Sequence, residues 1–167
     1  MSQLSFPFDS LFVRDQYGRV QPATVGQILE AARQVIEQQL QRGTTFSEPR
    51  VAHDFLRSKL CGLAHEMFAV VFLDHQHRLI AYDAMFRGTI NQAAVYPREV
   101  VKEALARNAA AVILAHNHPS GSPEPSEADK QLTQRLREAL ALVEVRVLDH
   151  IIVAGNVTTS FAERGLL

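Results

Sequence analysis

Residues 109–129 read AAAVILAHNHPSGSPEPSEAD, and the character of the chain changes three times within them. Ala109 to Ala115 form a short apolar run of the kind that fits a buried strand. His116 and His118 follow. Alternate residues of an extended chain point the same way, so the two imidazoles can face one point in space. Pro119 and the Ser-Gly-Ser-Pro-Glu-Pro stretch read as a loop. Ser126 then opens a helical pattern with Leu132, Leu136, Ala139, Leu140 and Val143 on one face. Asp129 falls in the first turn of that helix, from where a carboxylate can reach back to the end of the strand.

Two imidazole nitrogens and one carboxylate oxygen are good zinc ligands, and three protein ligands leave a fourth position for water. Water on such a metal can be a hydroxide near neutral pH, which makes it a nucleophile for hydrolysis. Each part has a plainer reading. Ser126-Glu127-Ala128-Asp129 is also a helix capping box, which by itself accounts for both Ser126 and Asp129. An isolated His-x-His is common in surface loops. Both histidines, the proline, the serine and the aspartate in one ordered run at the end of an apolar strand point instead to a metal site at His116, His118 and Asp129.

Outward from this segment the organisation is simple. Residues 1–22 read as an irregular leader with a small hairpin around Asp15 to Gly18. Thr24 can cap a helix with Val25, Ile28, Leu29, Ala32, Val35, Ile36 and Leu40 at helical spacing, stopped by Gly43. A second helix is expected near Val51 to Leu60, ending at Gly62. Strands follow near 67–73, 78–83 and 86–91. Pro97 opens a helix to about Asn108. After the strand at 109–116 and the helix from 127 to about 142, two closing strands are expected near 144–149 and 150–154, with a turn at Gly155-Asn156. The alternation predicts an α/β fold, a mixed sheet flanked by helices. Residues 1–44 are expected to be a leader and helix, and 45–167 the domain that carries the site.

His116-x-His118-Pro119, six residues, Ser126, two residues, Asp129 resembles the metal-binding signature of the JAB/MPN metalloproteases, also called JAMM. The wording His-Asn-His-Pro-Ser-Gly with a following Pro-Ser-x-x-Asp resembles the bacterial RadC family more specifically. The likeness extends through Glu66-Met67-Phe68, Val71-Phe72-Leu73-Asp74, Arg87-Gly88-Thr89, Tyr96-Pro97-Arg98-Glu99-Val100, Asn108-Ala109-Ala110, Leu148-Asp149-His150 and the closing Glu163-Arg164-Gly165-Leu166-Leu167. It implies a three-layer, cytidine-deaminase-like JAB fold over roughly 45–167. It implies Zn²⁺ on His116, His118 and Asp129. Ser126 would steady the charged intermediate or the bound water, and Glu66 would be the catalytic glutamate. A zinc hydrolase does need a carboxylate outside the ligand set to move the proton of water. Without the resemblance, Glu66 reads as a charged residue at a strand entrance.

Other features narrow the function. His75-Gln76-His77 reads as a solvated hairpin turn, and His53 and His65 as exposed helix and loop residues. His150, beside an apolar strand, reads as a hydrogen-bonded core histidine that could support a metal ligand. The contiguous letters HNH are not an HNH nuclease, whose residues are spread along a ββα unit. A single cysteine, Cys61, excludes the Pro-Cys-x-x-Cys of zinc deaminases and any internal disulfide. The 17 Lys and Arg are offset by 18 Asp and Glu with no basic run, whereas a phosphate-gripping protein carries a clustered basic face. Arg135 and Arg137 read as residues of a solvated helix face, and Arg146 is a third arginine that could join them in a patch. Longer relatives of the resembled family carry a helix-hairpin-helix segment. The region before residue 45 is too short for all of it and shows no Gly-x-Gly hairpin, so nucleic acid is not expected as a strong partner. No transmembrane span or signal peptide is visible, and a cytoplasmic location is expected. The resulting expectation is a zinc-dependent hydrolase, a metallopeptidase or isopeptidase acting on a peptide or protein. The alternative is a repair-associated binding module for nucleic acid or protein with a non-catalytic metal site. The oligomeric state is left open.

Overall fold

The strand that ends in the two histidines is the centre of a five-stranded sheet. A computed structural model of the protein describes residues 11–14, 17–39, 43–46, 48–88 and 94–167. The chain forms two units, residues 1–39 and 40–167. In the first, β1 (Phe12–Arg14) pairs antiparallel with β2 (Val20–Pro22), and α1 (Val25–Gln39) follows. The expected hairpin is present as this strand pair, although Asp15 and Gln16 of its turn lie outside the described residues. Thr24 caps α1: Gln27 N donates to Thr24 Oγ1 at 3.3 Å and Thr24 N donates to Gln27 Oε1 at 2.9 Å. This reciprocal exchange satisfies donors that a helix start otherwise leaves open.

The second unit contains α2 (Pro49–Leu60), β3 (Met67–Leu73), β4 (Leu79–Arg87), α3 (Pro97–Ala106), β5 (Ala111–Asn117), α4 (Glu127–Ala141), β6 (Arg146–Ala154) and β7 (Val157–Ser160). The sheet order is β4-β3-β5-β6-β7, with β5 and β6 parallel and the other pairs antiparallel. This is the expected mixed α/β sheet. β3 and β5 are buried on both faces, which explains their unbroken apolar runs. On one face Phe68, Val70, Phe72, Val112 and Leu114 pack against Val100 and Ala104 of α3 and Leu136 and Leu140 of α4. On the other, Phe55 of α2 meets Tyr82 of β4 edge-on at 5.4 Å. α2 stops at Gly62, whose φ of 77° is left-handed and costs a residue without Cβ nothing. The result is a three-layer unit.

Three sequence expectations need correction. The strands expected at 78–83 and 86–91 are one strand, β4, and residues 89–91 lie outside the described set. The strands expected at 144–149 and 150–154 are likewise one strand, β6, and the last strand is β7, beyond the Gly155-Asn156 turn. Both false breaks sit on bulges. Phe68 pairs with Phe86 and Ala69 with Ala84, leaving Met85 extra. Val112 pairs with Val147 and Ile113 with Asp149, leaving Leu148 extra. An extra residue reverses the inside–outside alternation and makes a continuous strand look like two. His53 and His65, expected to be exposed, are half-buried, and His53 holds Thr158 Oγ1 through Nδ1 at 2.8 Å. His75 to His77 do form the β3–β4 turn, tied by Asp74 Oδ1 accepting from Gln76 N and Arg78 N.

Leu114 is fully buried at the middle of the central strand, whereas Leu142 is 87 % exposed. Leu114→Ala is expected to cost about 2–5 kcal/mol, the usual range for a buried leucine. Leu142→Ala should stay within about 0.5 kcal/mol of the parent. Urea unfolding of both variants, fitted for ΔG, checks this.

Candidate metal centre

At the end of β5, His116 and His118 meet Asp129 from the first turn of α4. His116 Nε2 lies 2.9 Å from His118 Nε2. Asp129 Oδ1 is 3.3 Å from His116 Nε2, and Asp129 Oδ2 is 3.5 Å from His118 Nε2. Among the described residues these three form the one His/Asp/Glu/Cys group whose ligand atoms converge closely enough to hold a metal ion. His116 is buried, and the other two side chains are mostly so.

The hydrogen bonds fix which nitrogens are free. His118 Nδ1 lies 2.7 Å from the carbonyl of Ser122, an acceptor only, so Nδ1 carries the proton and neutral His118 keeps its lone pair on Nε2. The proton on His116 is fixed through two further residues, Thr133 and His150. Thr133 Oγ1 donates its proton to the carbonyl of Asp129 at 2.6 Å. It must therefore accept from His150 Nδ1, also at 2.6 Å. Burial holds the His150 pKa well below the ordinary imidazole value, so His150 is neutral and its Nε2 carries a lone pair. That lone pair accepts from His116 Nδ1 at 2.8 Å, which leaves His116 Nε2 free as well. Two lone pairs 2.9 Å apart beside a carboxylate repel one another unless a cation lies between them. A tetrahedral zinc with bonds of about 2.0–2.1 Å needs neighbouring donors about 3.3 Å apart. The donor set and its spacing fit such an ion.

The fold supplies each part. The bulge at Leu148 shifts β6 so that His150, not Asp149, lies beside Leu114, which shares a strand face with His116. There His150 stacks on Phe161 at 4.7 Å and meets Phe68 edge-on at 5.6 Å. Asp149 instead accepts from Ser160 Oγ and Ala162 N, tying down the turn after β7. Ser126 caps α4 reciprocally with Asp129: Ser126 Oγ donates to Asp129 Oδ2 at 2.6 Å, and Asp129 N donates to Ser126 Oγ at 3.1 Å. The capping box and the metal site thus share Asp129, and the cap aims its carboxylate. Arg164 pairs with Glu124 through both guanidinium Nη atoms and links the chain end to the motif loop.

Glu66 lies at the entrance to β3, half-buried. It lines a cleft of about 290 Å³ together with Asp129, Val95, Gln131, Leu132 and Arg135. Its charge helps raise the basicity of His118. Arg135 therefore borders the cleft as well as being exposed. The sequence reading passed over Thr133 and Asn117. Both are polar residues at positions that strand or helix periodicity marks as buried, and a buried polar group needs partners.

These features agree with comparison to known proteins. The model of the RadC-like JAB domain matches residues 46–166. The chain belongs to this family. It is 56 % identical over 156 residues to a UPF0758 protein of Vibrio cholerae, covering 93 % of this chain and 98 % of that one. It is 57 % identical over 150 residues to a UPF0758 protein of Methylibium petroleiphilum, with 90 % and 68 % covered. It is 61 % identical over 140 residues to a UPF0758 protein of Leptothrix cholodnii, with 84 % and 63 % covered. The chain thus spans nearly the whole of the first relative and about two-thirds of the other two. None of its described helices is long and apolar enough to cross a membrane.

Thr133→Val removes the hydroxyl that orders His150. We expect zinc affinity to fall about 10–100-fold, the usual effect of losing a partner behind a ligand, with a stability loss of about 1–3 kcal/mol from the orphaned imidazole N–H. Competition titration with a zinc chelator and urea unfolding measure the two effects.

Protons compete with metal for this site. The hydrogen bond with Asp129 holds the His118 pKa above its ordinary value although burial opposes it. Burial raises the Asp129 carboxyl, but His116, His118 and Ser126 overcome that and hold it well below the usual carboxylate range. The raised His118 stabilises the metal-stripped fold below its unfolded pKa and loses that contribution as pH rises through the folded value. The depressed Asp129 contributes above its unfolded pKa and loses that contribution as pH falls through the folded value. The pair is therefore fully present at roughly pH 4–6.5, between the ordinary Asp and His values. Zinc affinity should rise with pH until His118 has lost its proton, and binding should release protons below that point. Zinc titrations across pH in buffers of different ionisation enthalpy report both, and a flat profile would contradict the assignment.

Proposed function

We propose that this RadC-like JAB domain is a zinc-dependent hydrolase of the JAMM type, acting on an amide or isopeptide bond of a peptide or protein. The observation that carries the proposal is the convergence of His116 Nε2, His118 Nε2 and the Asp129 carboxylate beside a cleft that also holds a carboxylate outside the ligand set. A zinc ion held there supplies Lewis acidity and makes water nucleophilic near neutral pH. Glu66 is the group that accepts the proton from the attacking water on its carboxylate and returns it to the leaving amine. Ser126 holds Asp129 in its ligating orientation. For the same hydroxyl to support a developing oxyanion, its proton must turn from Asp129 Oδ2 toward substrate. Val95 and Leu132 offer apolar surface on the cleft walls, and Gln131 and Arg135 offer donors to substrate carbonyl or carboxylate groups.

Glu66→Gln keeps the shape of the side chain and cannot accept the proton. Zinc content by mass spectrometry should remain that of the parent, and hydrolysis in a peptide and isopeptide screen should fall by roughly 10²–10⁴-fold. In the same experiment Asp129→Asn should lose zinc as well as activity, because it removes the anionic ligand. If Glu66→Gln loses its zinc or keeps full activity, the role given to Glu66 is wrong.

A further inference from the structure

His116 and His118 face the metal centre, and the residue between them faces the other way. Asn117 is 3 % exposed, so its amide must find partners inside the protein. It finds them on both sides of Glu66. Asn117 Oδ1 accepts from the N–H of Met67 at 2.8 Å. Asn117 Nδ2 donates to the carbonyl of His65 at 3.0 Å and reaches that of Leu63 at 3.5 Å. Only one orientation of the amide satisfies both an N–H and a carbonyl, so its direction is fixed.

The register shows what this amide replaces. β3 and β5 pair from Leu73↔Ala111 to Phe68↔His116. The next pair would be Met67↔Asn117. There the main-chain pairing of β3 with β5 ends, and the Asn117 side chain takes over the hydrogen bonds. It holds the entrance of β3 one side chain's length away from β5, while the Asn117 backbone stays paired with Val153 of β6. On the remaining side, Gly88 N donates to the carbonyl of Glu66 itself at 2.8 Å. The two peptide groups that flank Glu66 are thus both held by Asn117, the residue that separates the two histidines, and the second is held from its other end by Gly88.

We propose that Asn117 is a positioning residue that sets the place of Glu66 relative to the metal, making the ligand strand and the proton acceptor one rigid piece. This rests on the hydrolase reading above for its catalytic consequence. Each near relative of asparagine fails differently. Serine is too short to reach both peptide groups. Aspartate of the same size can accept from Met67 N–H but sets an oxygen against the His65 carbonyl. Glutamine is one methylene too long for the gap.

The test uses Asn117→Ser and Asn117→Asp in the full chain, loaded with zinc for kinetics and with cobalt(II) for spectroscopy. The ligands lie on the opposite face of the strand, so both variants should bind stoichiometric metal, and that binding also reports that they fold. With ¹³C-labelled glutamate, the Glu66 carboxyl signal is assigned by its loss in Glu66→Gln. Its paramagnetic shift in the cobalt protein depends steeply on its distance and direction from the metal. We expect that shift to collapse in both Asn117 variants. We expect kcat to fall about 10²-fold, the effect of a misplacement of about 1 Å, with KM little changed. Asn117→Ser combined with Glu66→Gln should be no slower than Glu66→Gln alone. An unmoved Glu66 signal, or losses that multiply in the double variant, would overturn the proposal. If the zinc-loaded parent hydrolyses no substrate, the hydrolase reading fails, and the Glu66 signal still decides the positioning: collapse supports it and constancy refutes it.

Discussion

The buried hydrogen bond from His116 Nδ1 to His150 Nε2 is the contact on which the site depends. It joins neighbouring parallel strands, and Thr133 continues it into helix α4. The chain of donors ends on the carbonyl of Asp129, the residue whose carboxylate faces the metal position. One continuous chain of hydrogen bonds therefore orients a candidate ligand from β5 and a candidate ligand from α4 together. Every N–H and O–H along it has an acceptor. A low-dielectric surrounding makes such a chain strong when complete and costly when broken. Phe68 and Phe161 provide that surrounding by covering the His150 ring.

The rest of the fold serves this alignment. The parallel β5–β6 pair places His150 diagonally across from His116, and the bulge at Leu148 sets the phase that puts both on one face. The capping box at Ser126 begins α4 where its first turn can return a carboxylate to the strand end. The apolar stripe of α4, with Leu136 and Leu140 fully buried, holds that turn against the sheet. A helix start is rich in free N–H groups and favours negative charge, so the carboxylate of Asp129 is stabilised there before any metal binds. Helix capping and the candidate metal site share the Asp129 side chain without conflict.

Much of this was legible in the residues. The apolar run, the His-x-His, the loop and the Ser-x-x-Asp helix start gave β5, the motif loop and α4 with small boundary errors, because each is a local signal. The candidate triad was read from ligand chemistry and from the family resemblance, Glu66 as a candidate from the resemblance, and the structure brings the three candidate ligands together. What stayed hidden is non-local. The bulges at Met85 and Leu148 are properties of strand pairing, so the sequence showed only a broken alternation where the protein has continuous strands. Thr133 looked like one polar residue on a helix, and its partner is a histidine 17 residues away. Asn117 read as the spacer in a motif, although its side chain holds residues 50 to 54 positions earlier. His150 was read as a hydrogen-bonded core histidine, as the structure has it, whereas Asp149 looked like a strand end and instead ties Ser160 and Ala162 from the other side of β6.

The central claim is that one metal ion sits on His116, His118 and Asp129 through imidazole nitrogens and a carboxylate oxygen. Zinc K-edge X-ray absorption of the protein loaded with one equivalent of zinc tests it most directly. The account predicts a first shell made only of nitrogen and oxygen at about 2.0–2.1 Å, with the outer-shell scattering of two imidazole rings. A sulfur neighbour at about 2.3 Å, which could come only from Cys61 or a methionine, or a spectrum without imidazole scattering, would contradict it.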